Sequence, residues 1–272
     1  MGVAGLGWYV EPSFSIGLDK KDLQLLESVK LSLGGIGSIM RHSELCYVWR
    51  VSSLKDLTNT IIPYFDEFTL HTQKRADFEL FKRVVELINQ KKHLTLDGVQ
   101  EIVNIKAVHN KGLSDSLKLA FPKTSPVSRP IFTLSSIPDS QWLAGFTTGE
   151  GCFYIDIFKS KSTKTGFQVR PRFILTQHSR DENLIGSLIE LLDCGSVRVS
   201  EKAVYLIVSS FSDIENKVVP FFTKYNIHGA KDQDFKDWVH VVEMLNKKEH
   251  LALEGLDKIR IIQSKMKRGR SL

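Results

Sequence analysis

Pro138-Asp139-Ser140-Gln141-Trp142-Leu143-Ala144-Gly145-Phe146-Thr147-Thr148-Gly149-Glu150-Gly151-Cys152-Phe153 is the stretch on which the fold of this 272-residue chain turns. Asp139 or Ser140 can cap a helix here, because a short polar side chain accepts from first-turn amides that have no helical partner. Ala144 with Thr148, and Gly145 with Gly149, stand one turn apart and make a small-residue face that a second helix can approach closely. Gly149 and Gly151 stop the helix and leave Glu150 at its tip, next to a strand. Taken alone, these glycines read equally well as an ordinary cap and Glu150 as an exposed turn residue. Placement decides: the helix follows a linker, precedes a one-sided sheet and heads a repeated unit.

Downstream, Phe153 to Ile157 alternates in polarity. So does Phe167 to Leu175, which sets Gln168, Arg170 and Arg172 opposite Phe167, Val169 and Phe173. Asp181 to Leu192 has helical spacing, Ser196 to Ser200 and Val204 to Ser209 read as strands, and Phe211 to Tyr225 and Lys231 to Lys248 read as helices. The expected unit is α+β: helix, two strands, helix, two strands, helices.

That unit is written twice. Lys74-Arg75-Ala76-Asp77-Phe78 lines up with Lys231-Asp232-Gln233-Asp234-Phe235 at an offset of 157 (231 − 74), and the same register pairs Pro63 with Pro220, Asn89 with Asn246, His93-Leu94 with His250-Leu251 and Gly98 with Gly255. Upstream, Gly7, Val10, Pro12 and Phe14 match Gly166, Val169, Pro171 and Phe173 at an offset of 159 (173 − 14). Between the copies, residues 122–138 hold four of the eight prolines and read as an extended linker. The expected organisation is a first repeat over 1–121, the linker over 122–138 and a second repeat over 139–272.

Composition narrows the function. With 37 Lys+Arg against 31 Asp+Glu and a formal charge of +6, the chain favours polyanionic partners. Cys46, Cys152 and Cys194 lack metal or disulfide spacing, and no apolar run approaches the length of a membrane span. His93 and His250 sit at matched helix ends, where a charged imidazole would favour the helix dipole. Between Lys159 and Arg172 there are five basic residues and no acidic one, which suits a hairpin that reaches into a DNA groove.

Leu143-Ala144-Gly145-Phe146-Thr147-Thr148-Gly149-Glu150-Gly151 resembles the signature of the LAGLIDADG homing endonucleases, in the form found in single-chain enzymes of fungal mitochondrial introns. The resemblance implies a monomer of two pseudo-symmetric αββαββα repeats, each laying an antiparallel sheet on double-stranded DNA. It implies that Glu150 and the Gly149 carbonyl hold a divalent ion, Mg²⁺ by expectation, and that Gln177, Lys231 and Lys74 assist; Leu18 stands where the first copy should match Gln177. The DNA-facing side chains expected by alternation are Tyr154, Asp156, Phe158, Ser160, Gln168, Arg170, Arg172 and Thr176, joined by Lys161 and Arg198. Tyr9, Glu11, Ser13, Ser15, Val48 and Arg50 are their expected counterparts in the first copy.

Projected back by 159 residues, the first copy's signature helix and first strand fall before Met1. The expectation is that the native polypeptide extends upstream, by exon fusion or a missed start. A helix that should pack on Leu143, Ala144, Phe146 and Thr148 would then be missing, and the chain as written would nick weakly or not at all. The leading expectation is a site-specific, metal-dependent DNA endonuclease of intron homing, mitochondrial by resemblance. The alternatives are an intron maturase that binds RNA to assist splicing and an inactive remnant.

Overall fold

The computed structural model describes residues 7–134 and 137–267, which form two compact units, 1–133 and 134–272. None of the described helices is long and apolar enough to cross a membrane.

The first unit runs β1 (Phe14–Asp19), α1 (Leu23–Ser32), β2 (Ser38–Arg41), β3 (Cys46–Val51), a helix α2 over 54–67, α3 (Lys74–Asn89), α4 (Leu96–Lys106) and α5 (Asp115–Ala120). Its antiparallel sheet has the order β1-β3-β2, with Phe14 opposite Val51 and Asp19 opposite Cys46. Period-2 alternation sends Phe14, Ile16 and Leu18 to the face of Trp49 and Val51, where Leu26, Leu57 and Ile61 complete a core. Gly37 makes the turn into β2: its φ is +68°, and a Cβ there would lie 2.4 Å from the Arg50 carbonyl oxygen.

The second unit runs α6 (Ser140–Glu150), β4 (Gly151–Lys159), β5 (Phe167–His178), α7 (Glu182–Leu192), β6 (Ser196–Val199), β7 (Ala203–Val208), α8 over 211–224, α9 (Ala230–Asn246) and α10 (Leu253–Lys267). Its sheet order is β4-β5-β7-β6, one strand more than the first unit has among the described residues. That strand unites the core. Phe153 on β4 lies against the rings of Phe173, Phe222, Phe235 and Trp238, so sheet and helices share one hydrophobic cluster. Each such buried aromatic contributes about 1.5–3 kcal/mol. In the first unit the core is divided, with one cluster around Trp49 and another around Leu80, Ile102 and Ile105. A cleft of about 470 Å³ lies in this unit, lined by Val10, Pro12, Phe81, Val84, Ile102 and Ile105 among others.

The duplication extends to irregularities. Leu57–Ile61 and Ile214–Val218 are π turns, each followed by a proline, Pro63 or Pro220. Proline has no N–H and crowds the carbonyl four residues back, and widening the helix by one residue relieves both problems.

Three expectations need correction. Tyr9, Glu11 and Ser13 lie before β1 and not within a strand, because the ladder with β3 starts at Phe14. The matching half of β5 is strand because Phe167 to Arg172 pair with β4. Leu143 and Ala144 do not stand on an open stripe: both are buried, Leu143 in the hydrophobic cluster of the second unit, while the exposed side of α6 carries Gln141, Gly145 and Gly149. Burial lowers the imidazole pKa of both His93 and His250 from the usual 6.5, which disfavours the charged form expected at these helix ends.

Candidate active site and nucleic-acid interface

Asp139 caps α6 by accepting from the Trp142 N–H at 2.9 Å, and Trp142 stacks on Phe146 one turn later with ring centroids 4.5 Å apart. Leu143 and Thr147 turn inward and are fully buried, which fixes the helix's rotation and puts Glu150, exposed, at its C-terminal tip. At the junction with β4, a Cβ on Gly151 would lie 2.4 Å from Thr147 Cγ2, so the tight exit from helix to strand requires glycine. Thr148 Oγ1 accepts from the His228 N–H at 3.2 Å and ties the loop before α9 to the same helix.

Lys231, on the first turn of α9, brings its ammonium to this junction. It donates to the carbonyl oxygens of Thr147 (3.2 Å), Gly149 (3.0 Å) and Gly151 (2.6 Å). The last carbonyls of a helix lack intrahelical donors and carry partial negative charge, so a cation is drawn to them. Gln177 lies two residues beyond Leu175, the partner of Gly151, and therefore at the same end of the sheet; its Oε1 accepts from the His178 N–H at 3.2 Å. The structure thus brings Gly149, Glu150, Lys231 and Gln177 to one end of the second unit.

Lys74 behaves differently in the first unit. Its ammonium reaches Asn110 Oδ1 at 3.4 Å and Asp77 Oδ2 at 3.9 Å. No three His, Cys, Asp or Glu side chains gather as a metal cluster among the described residues. A metal at the α6 tip would therefore rest on backbone oxygen and one carboxylate. The fit is supported by the site itself, because the Gly149 carbonyl already faces a cation, the Lys231 ammonium.

The outer face of the second sheet carries Tyr154, Asp156 and Phe158 on β4, with Gln168, Arg170, Arg172 and Thr176 on β5. Several are engaged with each other. Arg172 Nη2 donates to Asp156 at 2.8 Å, and the Arg170 guanidinium lies 4.9 Å from the centre of the Phe158 ring. Ser160 lies beyond the end of β4, in the hairpin turn, where its hydroxyl meets that of Ser162 at 2.8 Å; Lys161 is exposed on the same turn. Arg198 on β6 stands in a row with Tyr205 and Thr176. In the first unit, Ser15, Arg50 and Ser38 form one row across three strands, and Val48 lies in the next with Gly17 and Met40.

A sequence profile described as LAGLIDADG endonuclease matches residues 3–85 and 143–242, once in each copy of the repeat. The chain belongs to the LAGLIDADG endonuclease family. Among family members, a Neurospora crassa protein named Probable intron-encoded endonuclease 3 is 38% identical over 261 residues, which is 94% of this chain and 49% of that protein. The chain spans about half the length of the curated relatives it matches. The LAGLIDADG homing endonuclease I-SmaMI, in a crystal structure bound to cleaved DNA, is 44% identical and superposes with a TM-score of 0.95 over 98% of this chain and 90% of its own. A second structure of I-SmaMI, bound to uncleaved DNA target in the presence of calcium ions, gives a TM-score of 0.94 at 44% identity, over 97% of this chain and 91% of its own.

Within this LAGLIDADG chain, sequence reasoning passed over Tyr205, which the ladder sets between Thr176 and Arg198 on the outer face. Its alternation with the buried Val204 and Leu206 was the available signal.

Proposed function

We propose that this chain is a site-specific DNA endonuclease of the intron-homing type, acting in mitochondria as a monomer on double-stranded DNA with Mg²⁺. The observation that carries the proposal is the α6 tip: an exposed carboxylate, Glu150, beside a cation-facing carbonyl, Gly149, at the end of a sheet with a basic outer face. The DNA-bound state of the I-SmaMI structures supports the choice of substrate.

Glu150 and the Gly149 carbonyl would hold the metal, with hard oxygen donors suited to Mg²⁺. When bound, the metal supplies charge neutralisation at the phosphodiester and a more acidic water. The chain's own residues perform the rest. Arg170, Arg198 and the hairpin lysines hold phosphates, Gln168 and Tyr205 reach base edges, and Gln177 orients water at the same end of the sheet as Glu150.

Glu150→Gln should reduce Mg²⁺-dependent strand scission, assayed on a library of duplex targets, by about 100-fold or more, since it removes the anionic metal donor. Duplex binding without metal should change less than threefold. Scission that persists in the Gln variant would refute the assignment, and binding confined to folded intron RNA would favour splicing assistance.

A further inference from the structure

Lys231 and the proposed metal compete for one oxygen. The lysine's three N–H donors match three carbonyls at the end of α6 and the start of β4, Thr147, Gly149 and Gly151, at 3.2, 3.0 and 2.6 Å. The middle one is the carbonyl assigned above to the metal, so this inference rests on that assignment. An oxygen shared by a dication and an ammonium would put the two cations within a few ångströms of each other, where their repulsion is strong.

The repeat supplies an internal control. Lys74 occupies the matching position, but no signature helix stands before it among the described residues, and its ammonium goes to Asn110 and Asp77 with the side chain 64% exposed. The matched lysines thus take different partners in the two units: three carbonyls at the α6–β4 junction for Lys231, and Asn110 with Asp77 for Lys74.

We infer that Lys231 is a resident cation of the metal-free protein, satisfying the three carbonyls at the α6–β4 junction and giving up Gly149 when a divalent ion takes its place. Two consequences follow from one exchange. The lysine weakens metal binding in the free protein, and metal arrival releases an ammonium at the helix tip for an anionic group such as a DNA phosphate. By linkage, any anion that attracts Lys231 away strengthens metal binding by the same factor. Metal loading and phosphate contact are thereby coupled through a single side chain.

The test is Ca²⁺ affinity measured by calorimetry on the whole chain without DNA, for the native protein, Lys231→Met and Lys231→Gln. Met removes the charge while keeping the length, and Gln keeps a donor for the carbonyls without the charge. Both variants should bind Ca²⁺ about fivefold or more tightly than the native chain, within the usual range of coupling between sites. A lysine that merely braces the helix would give the opposite sign, because a frayed α6 tip holds metal less well. Equal or weaker Ca²⁺ binding by the variants overturns the inference. If Lys231→Met does not fold, as judged by its melting curve, Lys231→Gln decides alone.

Glu150→Gln separates this failure from failure of the proposed function. Ca²⁺ binding that is lost in Glu150→Gln but indifferent to Lys231 removes the resident-cation role and leaves the metal site standing. Binding unaffected by Glu150→Gln removes both.

Discussion

At the scale of single residues, three glycines around the α6 tip divide by geometry. Gly151 is hemmed in by Thr147, with Cγ2 at 2.4 Å and the carbonyl oxygen at 2.8 Å from any added Cβ, whereas Gly145 and Gly149 would meet no atom within 4 Å. Gly151→Ala should lower stability by about 1–3 kcal/mol, the usual cost of overpacking against backbone. Gly145→Ala should raise it by up to about 1 kcal/mol, the helix preference of alanine over glycine. Thermal melts of the two variants check both signs; a destabilising Gly145→Ala would mean that its face is covered in solution. The sequence showed small residues at one-turn spacing but not which side of the helix they occupy. That depends on Leu143 and Thr147 being buried, and an apolar residue at every face of a short helix leaves its rotation open.

At the scale of elements, strands and helices of the second copy were legible because alternation and helical spacing are local properties. The fastening of residues 122–133 was not, because it depends on one long-range contact. Arg129 leaves this proline-rich segment to donate to Asp77 at 2.7 Å, the Val108 carbonyl at 2.8 Å and the Gln73 carbonyl at 3.2 Å. Burial alone would raise the Asp77 pKa. The Arg129 guanidinium, the Asn110 N–H and Lys74 outweigh it and hold the carboxyl below its usual 3.8. A depressed carboxylate pKa contributes stability that is present above the unfolded-state value and lost as pH falls through the folded one. Arg129→Ala should therefore cost about 2 kcal/mol at pH 7, for a half-buried pair with one partner removed. The gap between variant and native melting temperatures should begin to narrow as pH falls through the unfolded-state value of about 3.9 and close only below the lower folded-state pKa, where Asp77 is protonated in both states. A gap that stays constant down to pH 2.5 would show that Arg129 acts through packing alone.

At the scale of the whole molecule, a tandem repeat with a basic surplus was plain in the sequence, and the two units bear it out. What it could not show was that charges on the outer sheet face are partly spent on one another. Asp156 holds Arg172 at 2.8 Å, so the free positive charge shifts towards the hairpin, where Lys159, Lys161 and Lys164 are exposed. This separates affinity from discrimination. Lysines on a turn contact phosphates, whose counterions are released on binding, and removing Lys161 and Lys164 together should lower the slope of log affinity against log salt by about 2. The weakening should be the same for every duplex. Gln168, neutral and exposed on β5, neutralises no phosphate and so releases no DNA counterion, and it can pair with a base edge. Gln168→Ala should leave the salt slope unchanged and cost about 1–3 kcal/mol of preference at one or two base pairs. Salt titrations on a preferred and a scrambled duplex measure both quantities. If the double lysine variant loses affinity only for the preferred duplex, the hairpin reads sequence and the division of labour on this face is reversed.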